Sequence, residues 1–156
     1  TRASFEGDWF KTGDYGIYTP EGELFVVGRK KTLIILDNGK NVFPEEIEFA
    51  VMDNLSYIRE ACALEAVKNI AGDERKIIAV AVYVEPGDFE NMTEEEIKKK
   101  VADDIFGNVN RKMVSYKKIQ DVFVVFKEFE KTTTRKIIRQ KVIDAYNASI
   151  KTVANV

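Results

Sequence analysis

Apolar and polar positions alternate along this chain in two rhythms, one of period two and one of period close to 3.6, and the switches between them divide it into elements. Residues 15–27, "YGIYTPEGELFVV", alternate on either side of a Pro-Glu-Gly turn. That pattern predicts a β-hairpin, with Pro20 and Gly22 supplying the turn geometry. "TLIIL" (32–36) is a short β-branched run, "DNGK" (37–40) is a tight turn, and "NVF" (41–43) continues extended. The rhythm then changes. Pro44 suits a first helical position, and Glu45, Glu46 and Glu48 suit the positive end of a helix. Ile47, Val51 and Leu55 recur at i, i+4 and i+8, which predicts one buried stripe.

Strands are predicted over about 58–67 and 76–84, with the polar "NIAGDER" as the connection between them. The run Ile77–Val84 is apolar throughout and suits a buried strand. Residues 86–91 read as a loop. Thr93 with Glu96 forms a capping box for a helix carrying Ile97, Val101 and Ile105 on one face, and Gly107 and Asn108 are expected to end it. "IQDVFVVF" (119–126) predicts a strand, residues 127–135 a loop, "KIIR" (136–139) a short strand, and Gln140–Ser149 a last helix. The order predicts an α+β fold: a small mixed sheet with helices packed on it, preceded by a β-hairpin. No internal repeat or low-complexity segment interrupts it.

Composition narrows the class. The chain has 156 residues, 45% apolar and 32% charged, enough for one domain with a real core. No apolar run approaches the roughly 20 residues of a membrane-spanning helix, so no transmembrane segment is expected. With 24 basic and 26 acidic residues the net charge is −2, which gives no reason to expect nucleic acid as a partner. Histidine is absent and Cys62 is the lone cysteine. His-based triads and thiolate zinc sites are thereby excluded, and acid–base chemistry would rest on carboxylates, lysines or tyrosines. Cys62 has no partner for an internal disulfide and reads as a small core residue in a reducing, cytoplasmic setting. The chain opens without methionine or a signal peptide's apolar core, as a piece of a longer protein would. Residues 1–28 hold five acidic and two basic residues and no helical pattern, so a boundary is expected near Lys31, in the basic connector Gly28–Lys31.

Three stretches carry candidate chemistry. In "WFKTGDYG" (9–16), Gly13 permits a tight turn and Asp14 is an acceptor that could take both hydroxyls of a ribose, or simply cap the turn. In "GRKKTLIILDNGKNVFPEEIE" (28–48), the three adjacent cations could be a site or a solvated edge, and Gly39 is a turn glycine that also lets a ligand approach the backbone. In "TTTRKIIR" (132–139), Lys136 on a loop could place a compact charge on a carboxylate and a phosphate together, or remain a surface lysine.

Taken in order and at these intervals, the three stretches resemble motifs of the AMP-forming adenylating enzymes: acyl-CoA synthetases, adenylation domains of peptide synthetases, and luciferases. "WFKTGD" looks like the family's Trp/Tyr-x-x-Thr-Gly-Asp motif. "GRKKTLIILDNGKNVFPEEIE" looks like its Gly-Arg-x-Lys hinge, β-turn loop and Pro-x-Glu-Ile-Glu helix start. "EKTTTRKIIR" looks like its Pro-Lys-Thr-x-x-Gly-Lys-Ile motif. The wording "NGKNVFPEEIE" is most similar to bacterial long-chain fatty acid–CoA ligases. Three departures stand out: Glu130 in place of the usual proline, Arg135 in place of the usual glycine, and Thr32 where Asp or Asn is common.

The resemblance implies that residues 1–31 end a large nucleotide-binding domain and supply a hinge, and that residues 32–156 form a small mobile lid. It implies ATP and CoA as substrates of the whole enzyme, with Mg2+ accompanying ATP, a small-molecule carboxylic acid, of the long-chain fatty acid class, as the third substrate, and the upstream large domain as partner. Asp14 and Arg29 would bind nucleotide, Lys31 would be the hinge, and Lys136 would be catalytic. Asn38, Gly39 and Lys40 would form the loop beside the CoA arm. No metal ligand and no tightly bound cofactor are expected in the chain itself. By itself it is expected to be inactive, since the glycine-rich phosphate loop and the acyl pocket would lie upstream. Arg135, on an extended segment, would point away from Lys136. Two alternatives stay open: the lid of an amino-acid adenylation domain, and a non-catalytic binding module that kept the lid fold.

Overall fold

The apolar run Ile77–Val84 lies at the centre of the molecule, every one of its residues buried. The structure, a computed structural model, describes residues 4–153. Both expected units therefore reach a few residues beyond what is described. In chain order the elements are β1 (Phe5–Glu6), β2 (Trp9–Phe10), β3 (Asp14–Tyr18), β4 (Leu24–Arg29), β5 (Ile34–Ile35) and β6 (Asn41–Val42). They continue with α1 (Pro44–Asn54), β7 (Ile58–Ile70), β8 (Asp73–Val84), α2 (Glu94–Asp104), β9 (Asp121–Val125) and α3 (Arg139–Val153).

The main sheet has the order β7-β8-β9, with β7 antiparallel and β9 parallel to the central β8. It is thus mixed, and the α+β reading holds. Because side chains alternate across a strand, β8 feeds two cores. Ile78, Val80, Val82 and Val84 face a cluster with Ile47 and Val51 of α1 and Ile97 and Val101 of α2. Ile77, Ala79, Ala81 and Tyr83 face the other side, where Val142 and Tyr146 of α3 cover them. Cys62 is free and buried in this second core. Burial pushes its thiol up to about 11, against an opposing pull from Arg139.

Several elements differ from the pattern reading, each for a local reason. The polar "NIAGDER" is not a loop: β7 and β8 run on to a two-residue turn at Ala71 (φ 56°) and Gly72 (φ 96°), and backbone pairing continues through exposed polar residues. Gly107 and Asn108 do not end α2. The chain continues as a π-helical turn over Ile105–Val109, because Ile105 and Val109 are both buried in the first core and tertiary burial overrides glycine's low propensity. The run 32–36 yields only the two-residue β5, preceded by a 3-10 turn at Lys30–Thr32. "KIIR" forms one isolated bridge, Lys131 to Ile137, and α3 begins at Arg139.

The capping box is present in both halves. The Glu96 N–H donates to Thr93 Oγ1 at 3.4 Å, and the Thr93 N–H donates to Glu96 Oε2 at 2.8 Å. The Glu96 carboxyl is held below its ordinary value of 4.5, first by the Thr93 N–H and then by its hydroxyl. Thr93→Ala is expected to lower stability by about 1 kcal/mol in urea unfolding at neutral pH. Since the folded-state value of Glu96 is the depressed one, its contribution is present above the ordinary value and lost as pH falls through the folded value. The gap in melting temperature between wild type and Glu96→Gln should therefore close on going from neutral to strongly acidic pH.

Candidate functional site

A cavity of about 650 Å³ opens where β4, the start of α1 and the approach to α3 meet. Asp14, Val26, Val27, Gly28 and Arg29 line one side, Thr32, Glu45 and Glu48 the second, and Arg135, Lys136, Ile137 and Arg139 the third. Asp14, Arg29 and Lys136 are more than a hundred positions apart at the extremes, and the fold places them on one cavity. Lys31 lies in the 3-10 turn at its edge.

The hairpin supplies the first side. Gly13 adopts φ 80°, and Asp14 is the first residue of β3, paired in register with Arg29. Arg29 Nε meets Asp14 Oδ1 at 3.2 Å. The register slips between Tyr15 and Gly16, so that Val27 is the extra residue on β4. Such a bulge re-aims neighbouring side chains, and here the consecutive residues Val26 to Arg29 all reach the cavity.

The loop bearing Lys136 is closed at its base. Ile138 N–H donates to Glu130 O and Thr132 N–H to Lys136 O, both at 2.8 Å, beside the Lys131–Ile137 bridge. Thr132 uses its hydroxyl to accept from the Lys136 N–H at 3.2 Å, and shares a 2.9 Å bond with the Thr134 hydroxyl. The polar threonines thus hold the turn that presents the lysine. Glu130 pairs with Lys141, while Lys131 pairs with Glu60 of β7. Among the described residues the Lys136 ammonium enters no salt bridge, and the side chain is exposed to the cavity.

Arg135 is where the sequence reading fails. It sits at φ 61°, in the left-handed region that favours glycine. The segment is therefore not extended there, the strict alternation that separated Arg135 from Lys136 does not apply, and both side chains line the cavity. The arginine has kept a glycine's backbone conformation and added a second cation.

Arg139 was not singled out by any sequence signal, yet it ties the site together. Its guanidinium grips Glu48 in a fork, Nη1 to Oε1 at 2.6 Å and Nη2 to Oε2 at 3.0 Å. It also donates to the Ala63 carbonyl at 3.1 Å and approaches Glu45 Oε1 at 3.5 Å. Glu48 Oε1 in turn accepts the Ala63 N–H at 2.9 Å. Burial opposes the arginine's charge, but Glu48 outweighs it and the pKa is raised. The Thr32 hydroxyl donates to Glu45 Oε1 at 3.2 Å, a bond that an Asp at this position could not make without setting a second carboxylate against Glu45. These partners are too far apart in sequence for any local pattern to pair them.

Asn38, Gly39 and Lys40 lie elsewhere. Gly39 adopts φ 74° in a turn closed by the Leu36–Lys40 and Gly39–Leu36 bonds, and Asn38 Oδ1 accepts the Lys40 N–H at 3.1 Å. Lys40 Nζ stands 4.3 Å above the Tyr116 ring. Asn38 borders a second cavity of about 450 Å³ with Arg75, Lys76 and Lys118, not the cavity of Lys136. Among the described residues no group of three His, Cys, Asp or Glu side chains could hold a metal ion. No helix among them is long and apolar enough to cross a membrane.

The cavity combines four cations with three carboxylates, which suits an anionic ligand with polar hydroxyls. Comparison with known proteins gives the class. The family model of the AMP-binding enzyme C-terminal domain matches residues 31–155, and the chain belongs to that family. It is 33% identical over 147 residues to a 2-succinylbenzoate–CoA ligase of Listeria monocytogenes, covering 94% of this chain and 28% of that protein. It is 34% identical over 98 residues to a long-chain-fatty-acid–CoA ligase of Mycobacterium tuberculosis, covering 63% of this chain and 15% of that protein. The chain thus spans under a third of either relative. Among solved structures, o-succinylbenzoate CoA synthetase from Bacillus subtilis, in complex with its acyl-adenylate intermediate, shares the fold. The TM-score is 0.65 at 23% identity, over 90% of this chain and 25% of that one. Mycobacterium tuberculosis fatty acyl CoA synthetase gives a TM-score of 0.58 at 25% identity, over 96% and 26%.

Removing Arg139 would leave Glu48, whose side chain is only 17% exposed, without its counter-charge. Arg139→Ala is expected to cost about 3 kcal/mol in denaturant unfolding. Arg139→Lys should recover only part of that loss, because an ammonium cannot reproduce the fork.

Proposed function

We propose that this chain is the lid of an AMP-forming carboxylic acid–CoA ligase working in the cytoplasm, with residues 1–31 ending the large domain and residues 32–156 forming the lid that turns about Lys31. The observation that supports it best is the unpaired Lys136 ammonium on the same cavity as the Asp14–Arg29 pair. Asp14 accepts from the ribose hydroxyls of ATP, and Arg29 stands near ribose and phosphate. Lys136 bridges the substrate carboxylate and the α-phosphate, stabilising charge that develops as the acid oxygen attacks phosphorus and pyrophosphate leaves. Arg135, also on the cavity, offers a planar fork to phosphate oxygens. After the lid turns, the Asn38–Lys40 loop takes the place of Lys136 and CoA attacks the acyl-adenylate through its thiol. Mg2+ would enter only as part of the ATP substrate, offsetting charge on its phosphates.

For the acid itself, long-chain fatty acids are the reading that the wording of residues 38–48 favours. The relative matched over most of the chain acts, by its name, on 2-succinylbenzoate, so the two acids are the first pair to assay. Pyrophosphate exchange by the full-length protein with each acid decides between them. Exchange with an amino acid alone would favour the peptide-synthetase reading, and exchange with no acid would favour the binding module.

In the full-length protein, Lys136→Ala should lower pyrophosphate exchange by ~100- to 1,000-fold while leaving thioester formation from preformed acyl-adenylate nearly intact. Arg135→Ala should lose about tenfold or less in the same exchange assay, being an exposed charge-assisted donor. If Arg135→Ala is the worse of the two, their roles are reversed.

Lys31→Pro should spare adenylate formation and impair thioester formation. Proline fixes φ near −65°, which a 3-10 turn already requires, so the present orientation is kept and the turn about residue 31 is blocked. Equal loss of both half-reactions would place the hinge elsewhere.

A further inference from the structure

We infer that Phe43 is a positioning residue: its ring seats in a socket made by Gly28 and Tyr15, and this contact holds the lid in the orientation that puts Lys136 opposite Asp14. The inference rests on the lid reading above and adds the element that selects one orientation. Gly28 is buried although it lies in an otherwise exposed strand. A Cβ placed on it would overlap the Phe43 ring, lying 3.0 Å from Cγ, and would come 3.1 Å from Glu45 Oε2. Its φ is not in the left-handed region, so glycine is needed here for space and not for backbone conformation. Tyr15, paired with Gly28 across the hairpin, meets the same ring edge-on, with centroids 5.6 Å apart at 66°.

Phe43 belongs to neither buried core, so its ring serves the contact with the hairpin and not the stability of the sheet. Gly28 and Tyr15 precede Lys31 and Phe43 follows it, so any turn about Lys31 must unseat the ring. One further contact spans Lys31 in this orientation: the Thr32 hydroxyl, shared with Glu45 Oε1, also reaches Arg29 O at 3.2 Å. An edge-to-face pair of this kind is a modest interaction. That suits a contact that must form and break once per turnover.

The test uses the full-length protein and three variants, Gly28→Ala, Phe43→Ala and the double, each assayed for pyrophosphate exchange and for thioester formation from preformed acyl-adenylate. Phe43→Ala should lower exchange about three- to tenfold, and Gly28→Ala at least as much, with thioester formation unchanged or faster. The double should be little worse than Phe43→Ala alone, because the severe overlap that harms Gly28→Ala is with the removed ring, and the remaining 3.1 Å approach to Glu45 Oε2 needs a side-chain shift of only a few tenths of an ångström. Additive losses in the double, equal losses in both half-reactions, or no loss in either single variant would overturn the inference. Absence of exchange in the wild type with every acid would instead overturn the ligase reading, and the seat with it.

Discussion

The fork between Arg139 and Glu48 is the contact on which the site depends. It joins the first residue of α3 to the second turn of α1, and through the Ala63 carbonyl and N–H it fastens both to β7. The Lys136 loop is the segment that leads into α3, so where Arg139 is held, Lys136 is held three residues earlier. A partly buried guanidinium needs a partner to offset its desolvation. Glu48 meets that need bidentately, with Glu45 adding a weaker attraction at 3.5 Å. Without the pair, the helix that covers one face of the sheet and the loop that carries the lysine would lose their common anchor.

From that anchor the charges arrange themselves by use. Carboxylates near the start of α1 are engaged inward by Arg139 and Thr32, Asp14 is engaged by Arg29, and of the four cations lining the cavity the two without a salt-bridge partner among the described residues are those of the loop, Arg135 and Lys136. Unpaired cations at a cavity whose carboxylates are otherwise engaged, save the buried Glu45 Oε2, which has no hydrogen-bond partner, offer a place for an anion that the protein itself does not fill. The family to which the chain belongs fits that chemistry, and the departures in the last motif read differently once seen. Glu130 forms an ion pair at the loop base, and Arg135 adopts the backbone conformation that its glycine counterpart would take. Neither dismantles the loop.

The stretches that local chemistry controls were legible. The Pro20–Gly22 hairpin, the Pro44 helix with Ile47 and Val51 inward, and the Thr93–Glu96 box all appear as their residues require. The buried central strand Ile77–Val84 is another, because a run apolar on both faces has few other places to go. Boundaries were less legible wherever tertiary burial or pairing extended an element past its propensity. The π-helical turn beyond α2 is one case, and the long β7–β8 ribbon through polar residues is another.

Sequence by itself determined most of the element types, the buried faces of α1 and α2, and the candidate set of Asp14, Arg29 and Lys136. Each of these follows from periodicity, turn chemistry or an ordered set of motifs, all of which act over short stretches. Only the tertiary structure decided that Arg135 shares the cavity with Lys136, that Arg139 grips Glu48 across 91 positions, and that Gly28 is glycine to admit the Phe43 ring. The reason is the range of the forces involved. A left-handed residue, a buried ion pair and a close backbone approach are fixed by what surrounds them in space, and the chain records those surroundings only once it is folded.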